Sequence, residues 1–467
     1  MITYNTADAG SGSLYEFLSK SIKSDILKGV LKAGEKLPSK RQFAKNLGVS
    51  VITVENAYAQ LMAEGYIYSL PKRGFYVADF KRLVQQKKPA ISEEMIPLAA
   101  REGGWLADFT SNQTETGLFP FTIWSKVIRE VLNDSRAQLM TNSACGGIRV
   151  LRESIAGYLR EFRDMHVKPE QIVIGAGTEY LYGLLIQLFG NGKVYAVENP
   201  GYRKLEKIYH SFGAPCRWIA MDAAGICISD LEKQRADIVH ITPSHQYPTG
   251  IVMPISRRYE MLGWASKAEG RYIIEDDYDS ELRLSGRPIP TLQSIDMSER
   301  VIYMNTFTKT LCSTVRISYL VLPGKLLHEF YDKLSFYSCT VSNFEQYTLA
   351  KFIQEGKFEN HINRLRNYYR KKRDLLLEAL CKGKVKPFIS VSGEEAGLHF
   401  LMKIESGVPE AVFLKRARAK GVKLAPLSAY YYKEEGKPEN IYVMNYSSID
   451  ITKAEEIAEC IYRCCIE

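Results

Sequence analysis

Apolar runs that alternate with helical segments over most of the chain constrain its fold more than any other feature. From Asp108 onward the strand-like runs are QIVIGAG, KVYAVENPGY, DIVHITPSHQYPTG, RYIIEDDYDS and RVIYMNTFTKT. Strands separated by helices predict an α/β protein with a mostly parallel, doubly wound sheet. Ligands of such sheets bind beyond the carboxyl ends of the strands, where the polar residues of these runs lie.

Two polar residues at strand ends have the most specific chemistry. Lys309 lies on a Ser/Thr-rich turn after one apolar strand, and Asp276, 33 residues earlier, ends another. Such an amine suits covalent attachment of an aldehyde cofactor, and such an acid suits the nitrogen of a pyridine ring. Together they predict pyridoxal 5'-phosphate (PLP), with Asp277 as the alternative acid. Tyr278 is two residues beyond Asp276, so both side chains point the same way from an extended strand end.

Further residues near these strand ends are candidates for the rest of the cofactor. A Gly-Ala-Gly turn before a helix offers backbone N–H groups to a phosphate, hydroxyls and a cation surround Lys309, and a tyrosine after a strand could stack on the ring. Taken singly, these features also fit a tight turn or a core tyrosine, but their ordered combination favours PLP. The candidates are Ala176, Gly177, Thr178, Tyr202, Thr306, Thr308 and Arg316.

The positive charge of the chain is concentrated at its N-terminus. Residues 1–88 hold 14 Lys and Arg against 7 Asp and Glu, a net charge of +7 out of +9 for all 467 residues. Such a block supports nucleic-acid binding, although a solvated face has the same composition.

The same region has the pattern of a helix-turn-helix motif followed by a wing. Ser39, with Gln42 three residues on, predicts a capped helix over residues 40–46, and Ser50 predicts a second helix over residues 51–64. Two short strands joined by a turn at residues 70–74 follow. The stretches LPSKRQFAKNLGVS and TVENAYAQLMAEGYI resemble the winged helix of the GntR family, over residues 13–78.

The GntR resemblance implies which residues face double-stranded DNA. Side chains of the two capped helices would meet bases and backbone, and those of the wing would meet phosphate or the minor groove. Val51 stands where the family commonly has an arginine, so the operator sequence cannot be inferred. The implied DNA-binding residues are Ser39, Arg41, Ser50, Thr53, Asn56, Lys72 and Arg73.

The remainder of the chain resembles a fold-type I aminotransferase, and the whole resembles the MocR/GabR subfamily of GntR regulators. The segments that show this are HQYPTG, EDDYDSELR, GRPIP, TFTKT and residues 344–374. The resemblance implies a winged-helix domain at 1–79, a linker at 80–106 and a PLP-binding domain at 107–467, whose smaller α+β part spans about 340–467. It also implies that Lys309 attaches the cofactor aldehyde, that Asp276 contacts the pyridine nitrogen and that Tyr278 contacts the ring oxygen.

One departure from the enzymes bears on function. Aminotransferases hold the substrate carboxylate with an arginine on a late strand, but no arginine lies between Arg418 and Arg463. A bidentate arginine–carboxylate pair is hard to replace, and the nearby alternatives are Lys433 and Arg203. Tyr247 stands where the enzymes have an asparagine. Because HQYPTG is a MocR-like form, this residue departs from the pattern of the enzymes and not from that of the regulators.

The sequence therefore predicts a PLP-dependent transcriptional regulator that senses an amine, an amino acid or PLP, and the resemblance implies a homodimer. A catalytically active aminotransferase with a DNA-binding front end is the alternative, and a cofactor-free dimerisation scaffold is a third hypothesis. No long uncharged apolar run, signal peptide or metal-type CxxC spacing occurs, and the nine cysteines fit thiols of a reducing cytoplasm. We therefore expect no membrane partner and no metal.

Overall fold

The computed structural model describes residues 3–5, 12–79, 104–284, 289–432 and 436–467. The chain forms two compact units, Met1–Arg101 and Glu102–Glu467. Most of the predicted linker lies outside the described residues. The nine cysteines form no disulfides, and no helix within the described ranges is long and apolar enough to cross a bilayer.

The first unit is a three-helix domain with a two-stranded wing. Ser39 accepts a hydrogen bond from the backbone N–H of Gln42 at 3.3 Å, and Ser50 accepts one from that of Thr53 at 3.1 Å. These caps begin the second and third helices at the predicted residues. The elements are α1 (Leu14–Lys28), α2 (Lys40–Leu47), α3 (Val51–Ala63), β1 (Ile67–Leu70) and β2 (Gly74–Val77).

This unit has its own hydrophobic core, because apolar residues recur at helical spacing on all three helices. Leu18, Ile22, Val54 and Tyr58 are fully buried. Strands β1 and β2 pair antiparallel, as predicted for the wing.

The second unit contains two sheets and the helices that cover them. Its strands are β3 (Ala107–Asp108), β4 (Ile172–Gly175), β5 (Tyr195–Asn199), β6 (Cys216–Asp222), β7 (Gly225–Ile226), β8 (Ile238–Ile241), β9 (Tyr272–Asp276), β10 (Val301–Thr306), β11 (Ser318–Val321), β12 (Ile389–Ser392), β13 (His399–Ile404), β14 (Val422–Lys423), β15 (Ala425–Pro426) and β16 (Ile441–Asn445). Its helices are α4 (Phe121–Asp134), α5 (Arg136–Leu139), α6 (Arg149–Arg163), α7 (Thr178–Phe189), α8 (Arg203–Ser211), α9 (Ile228–Lys233), α10 (Ile255–Ser266), α11 (Gly324–Leu334), α12 (Asn343–Gln354), α13 (Lys357–Lys382), α14 (Glu410–Ala419) and α15 (Ala454–Ile466).

The large sheet has eight strands in the order β4, β11, β10, β9, β8, β5, β6, β7. The central strands β10, β9, β8, β5 and β6 pair in parallel, which confirms the predicted sheet. Strand β11 runs antiparallel to both β10 and β4. The segment between β10 and β11 is short, so the chain turns back and β11 pairs antiparallel beside β10. A parallel strand there would need a longer connection, usually a helix.

The smaller sheet is antiparallel and lies near the C-terminus, with the order β12, β13, β16, β15. Strand β3, at the start of this unit, pairs in parallel with β14 from the C-terminal region. The segment that follows β3 is therefore held beside the small sheet, and this placement brings residues 111–113 to the site described next.

Candidate functional site

A cavity of about 610 Å³ lies where β8, β9 and β10 end. This volume is in the range of small-molecule pockets. The strand-end position is the one predicted, because parallel strands present their carboxyl ends at one edge of the sheet. The lining residues are Asp108, Ser111, Asn112, Gln113, Thr178, Glu179, Tyr182, Tyr202, Leu205, Thr242, Tyr247, Asp276, Tyr278, Thr306, Thr308, Lys309, Ser313 and Arg316.

Lys309 lines this cavity on the turn after β10. Its Nζ donates a hydrogen bond to the backbone carbonyl of Asn112 at 2.9 Å. Burial lowers the pKa of Lys309 to about 8, and the negative charge of Asp279 partly opposes this shift. A larger share of this amine is therefore neutral near physiological pH than of an ordinary lysine, which favours attack on an aldehyde.

Asp276 and Asp277 have different surroundings, although they are adjacent. Asp277 is buried and accepts hydrogen bonds from Arg163 at 2.6 Å and from the hydroxyl of Tyr303 at 2.8 Å. Asp276 lines the cavity, whereas Asp277 does not, and the Oδ2 of Asp276 accepts a hydrogen bond from Tyr182 at 2.7 Å. The Oδ1 atoms of both aspartates are buried without a partner, so position at the cavity is what distinguishes Asp276. A buried carboxylate oxygen without a donor suits a ligand N–H group.

Asp276 is anchored from behind by a chain of rings. The Nε2 of His240 lies 3.4 Å from the Oδ2 of Asp276, and the hydroxyl of Tyr209 lies 2.7 Å from the Nδ1 of His240. Neither His240 nor Tyr182 was predicted from the sequence. Tyr182 stands four residues after Thr178 on α7, so its position on the helix face next to the cavity could have been found.

The turn before α7 and the side chains around it, here called the anion cradle, have the groups predicted to bind a phosphate. Gly177 has a φ of +90°, and a Cβ there would lie 2.2 Å from the Nη2 of Arg316. The guanidinium therefore lies directly against the glycine at the start of the helix, where an anion is favoured. Neither Ala176 nor Gly177 is among the lining residues, and the N–H of Ala176 donates to the hydroxyl of Thr340 at 3.0 Å.

Hydroxyl groups complete the cradle on the Lys309 side. Thr306 donates a hydrogen bond to Thr308 at 2.8 Å, and Ser318 donates one to Thr306 at the same distance. Arg316 also lies 4.0 Å from Glu179, the residue that follows Thr178. Thr178, Thr306, Thr308 and Arg316 line the cavity, and Gly177 lies against Arg316. The phosphate-binding role of all six residues, Ala176 included, stays a prediction.

The two predicted tyrosines lie on the cavity wall. The hydroxyl of Tyr278 donates to the backbone carbonyl of His245 at 3.1 Å. Tyr202 is 41% exposed, and its ring is edge-on to that of Tyr247 at a centroid distance of 5.9 Å. Tyr202 is therefore accessible from the cavity, and its stacking on a ligand ring stays a prediction.

A pair of buried histidines joins the two sheets beside Tyr278. The Nδ1 of His245 lies 2.8 Å from Asp279, and its ring centroid is 4.4 Å from that of His399, the first residue of β13. Gly397 has a φ of +67°, and a Cβ there would lie 2.1 Å from the ring of His245. The backbone of the small-sheet layer thus packs directly on the HQYPTG segment.

The late strand of the small sheet carries amides in place of an arginine. Asn445, at the end of β16, donates a hydrogen bond from Nδ2 to the Oδ1 of Asn112 at 2.8 Å. Arg203 does not line the cavity, and its guanidinium donates to the carbonyl of Tyr431 at 3.0 Å. Lys433 lies outside the described residues. Asn112 was not predicted, although it belongs to the polar run SNQT that precedes the first helix of this unit.

The predicted DNA-binding residues lie on the surface of the first unit. Side chains of Arg41 and Asn56 are exposed on α2 and α3, as are those of Lys72 and Arg73 on the wing turn. Ser39 and Ser50 cap the two helices, and Thr53 is half-buried beside Ser50, with the two hydroxyl oxygens 2.8 Å apart.

Comparison with known proteins is consistent with both units. Residues 14–77 match the gntR family of bacterial regulatory proteins, and residues 107–437 match the aminotransferase class I and II family. An archaeal alanine:glyoxylate aminotransferase of known structure superposes with a TM-score of 0.68 at 25% identity, covering 77% of this chain and 91% of that chain.

Two regulators resemble the chain along most of its length. The uncharacterized HTH-type transcriptional regulator YdeL of Bacillus subtilis is 39% identical over 420 residues, which cover 90% of each protein. The probable rhizopine catabolism regulatory protein MocR of Rhizobium meliloti is 30% identical over 450 residues, which cover 94% of this chain and 90% of that protein. The chain, in which a gntR domain precedes an aminotransferase class I and II domain, belongs to the MocR-type branch of the GntR family of bacterial regulators.

Proposed function

We propose that this chain is a cytoplasmic, homodimeric transcriptional regulator that binds PLP on Lys309 and responds to an amine, an amino acid or PLP itself. The observation that carries the proposal is that Asp276, whose buried Oδ1 has no partner, lines the same cavity as Lys309, Thr306, Thr308 and Arg316. The group that fits this donor and acceptor set has a protonated ring nitrogen, an aldehyde and a phosphate.

Each residue of the site has a distinct part in holding PLP. Asp276, which accepts a hydrogen bond from Tyr182, would hold the proton on the pyridine nitrogen, and Tyr278 would donate a hydrogen bond to the ring oxygen. Arg316 and the start of α7 bind the phosphate. When bound, PLP supplies an aldehyde that combines reversibly with primary amines.

Regulation requires that the ligand state at Lys309 changes the affinity for DNA. A ligand achieves this only if it binds the two DNA-binding states with different affinities. Tyr278 is a suitable link, because its hydroxyl donates to His245, and His245 packs on His399 of the small sheet. A ring oxygen that takes this hydrogen bond would leave the His245 carbonyl without it.

The test of the proposed function is a titration of the purified protein with PLP and then with amines and amino acids. Visible absorbance reports the cofactor, and operator binding is measured in the same samples. The expected result is a saturable band and a change of operator affinity on adding ligand. Sustained turnover of an amino acid with a keto acid would instead support an active aminotransferase, and the lack of any band would support the scaffold hypothesis.

The rate of covalent attachment of PLP to the cofactor-free protein is expected to level off near pH 8. Only the neutral amine of Lys309 attacks, and burial holds its pKa at about 8, below the ordinary value of 10.5. Below that pH, the rate should rise about tenfold per pH unit. Stopped-flow absorbance at a series of pH values measures it.

The variant Asp279→Asn is the matched control for this pH dependence. Because the charge of Asp279 raises the pKa of Lys309, its removal should move the plateau to lower pH. Dividing the rate of the variant by that of the unaltered protein at each pH removes the effect of PLP's own ionisations, which is the same for both proteins. A plateau near pH 10.5 in the unaltered protein would contradict the assignment.

The variant Arg41→Ala is expected to weaken DNA binding by a similar factor for all sequences. Arg41 is exposed at the start of α2, where it would contact a phosphate. The slope of log affinity against log salt concentration should fall by about one. Fluorescence anisotropy at several salt concentrations measures this, with the exposed Arg129→Ala of the second unit as control. An unchanged slope would remove Arg41 from the interface.

A further inference from the structure

The end of the cavity next to Lys309 is lined by neutral hydrogen-bonding groups. The backbone carbonyl of Asn112 accepts a hydrogen bond from the Nζ of Lys309 at 2.9 Å, and both residues line the cavity. Tyr247 lines the cavity, and its hydroxyl lies 2.9 Å from that of Tyr430, which is not a lining residue. Asn112 also hydrogen-bonds the phenol of Tyr247, which opposes the rise in the pKa of Tyr247 that burial causes.

The orientation of the Asn112 amide is determined by the residues behind it. Its Oδ1 accepts a hydrogen bond from Asn445 at 2.8 Å, and the Oδ1 of Asn445 accepts one from the hydroxyl of Ser447 at 2.7 Å. The N–H of Ser447 donates to the same oxygen at 3.0 Å. The carbonyl oxygen of Asn112 is thus occupied, and its NH₂ group is the one left to face Tyr247 and the cavity.

The charged groups near Asn112 and Asn445 either lie at the other end of the cavity or interact with other residues. Among the described lining residues, the cations are Lys309 and Arg316, and Arg316 lies at the opposite end, on the Gly177 turn. The buried ammonium of Lys372 donates to the carbonyl of Ser447 at 2.9 Å and lies 3.4 Å from Glu115. Asp108, on the cavity wall, lies 3.6 Å from Lys423.

We propose that Asn112, positioned by Asn445, selects a primary amine whose neighbouring substituent is an uncharged hydroxyl or amide, as in an amino alcohol, over an amino acid. This inference rests on the proposed function. The amide NH₂ of Asn112 and the phenol of Tyr247, which both belong to lining residues, form good hydrogen bonds with a neutral oxygen. They recover little of the cost of removing a carboxylate from water, for which a paired cation is needed.

Matched ligands test this selection directly. The PLP-loaded protein is titrated with L-alaninol, L-alaninamide and L-alanine, which differ only at the group beside the amine. The readouts are the shift of the absorbance band, the heat of binding and operator affinity. We expect the alcohol or the amide to act at concentrations at least about tenfold below those of alanine, the equivalent of one well-made hydrogen bond. Equal or tighter binding of alanine would overturn the proposal.

Variants of Asn112 and Asn445 test whether these two amides cause the preference for an uncharged substituent. Asn112→Leu, close in volume but without the donor, should weaken alaninol binding about tenfold and leave alanine nearly unaffected. Asn445→Arg should reverse the preference, because it places a cation beside Asn112. Lys433→Ala is the control, and loss of alanine binding in that variant would show carboxylate recognition through Lys433 and overturn the proposal.

The same titrations distinguish failure of the amine selection from failure of the proposed regulatory function. A band with PLP that ignores every amine, while PLP alone changes operator affinity, would overturn the amine selection and leave the regulator intact. The lack of a band with PLP would overturn both.

Discussion

Replacing Lys309 with alanine is expected to abolish the absorbance band of covalently attached PLP, the imine band. Within the described residues, Lys309 is the one lysine on the cavity wall, and burial lowers its pKa to about 8. The groups of the anion cradle stay in place, so PLP should still bind weakly and without a covalent bond. Absorbance titration, followed by borohydride reduction and mass spectrometry, measures the attachment.

The control for this variant is Lys207→Ala, which removes an exposed lysine on α8 and should keep the band. The Lys309→Ala protein should unfold within a few degrees of the unaltered protein, because alanine replaces an amine that burial disfavours in its charged form. A band of normal intensity in Lys309→Ala would refute the assignment of this lysine.

The variant Asp277→Asn is expected to cause the largest loss of stability of any change near the cavity. Asp277 and Arg163 are buried and 2.6 Å apart, and Tyr303 donates to the same carboxylate oxygen. Loss of the negative charge leaves the Arg163 guanidinium buried without its counterion. Removing one partner of such a pair costs about 3–5 kcal/mol of unfolding free energy. Urea unfolding followed by tryptophan fluorescence measures it.

The neighbouring Asp276→Asn is the matched control. Asp276 faces the cavity, so this change should weaken PLP binding while the urea midpoint shifts little. The opposite pattern, with stability lost in Asp276→Asn and cofactor lost in Asp277→Asn, would mean that the two aspartates have exchanged roles. The PLP affinity and the urea midpoint of both variants therefore show which of the two adjacent aspartates serves the cofactor and which serves stability.

Local sequence signals predicted the first unit closely. Ser39 and Ser50 begin α2 and α3 because a serine oxygen satisfies a backbone N–H at a helix start, an interaction that involves only a few neighbouring residues. The wing pairs as predicted, for it depends on a turn of a few residues. Contacts between residues close in sequence can be read from short patterns.

The parallel sheet was also predictable, and with it the position of Lys309 and Asp276. Both residues end apolar strands, and parallel neighbours place such ends together without any knowledge of the packing. Strand β11, which lies between β10 and β4 and runs antiparallel to both, was not among the predicted strands.

The sequence by itself determined the two-unit organisation, the mostly parallel sheet and a lysine and an acid at its strand ends, because these follow from local periodicity and strand direction. Only the tertiary structure decided that Asp276 rather than Asp277 faces the cavity, and that Asn112 and Asn445 meet there. The two asparagines are 333 residues apart, and they meet because β3 pairs with β14 beside the small sheet. No local pattern records such a contact, since it depends on where two distant backbone segments pack.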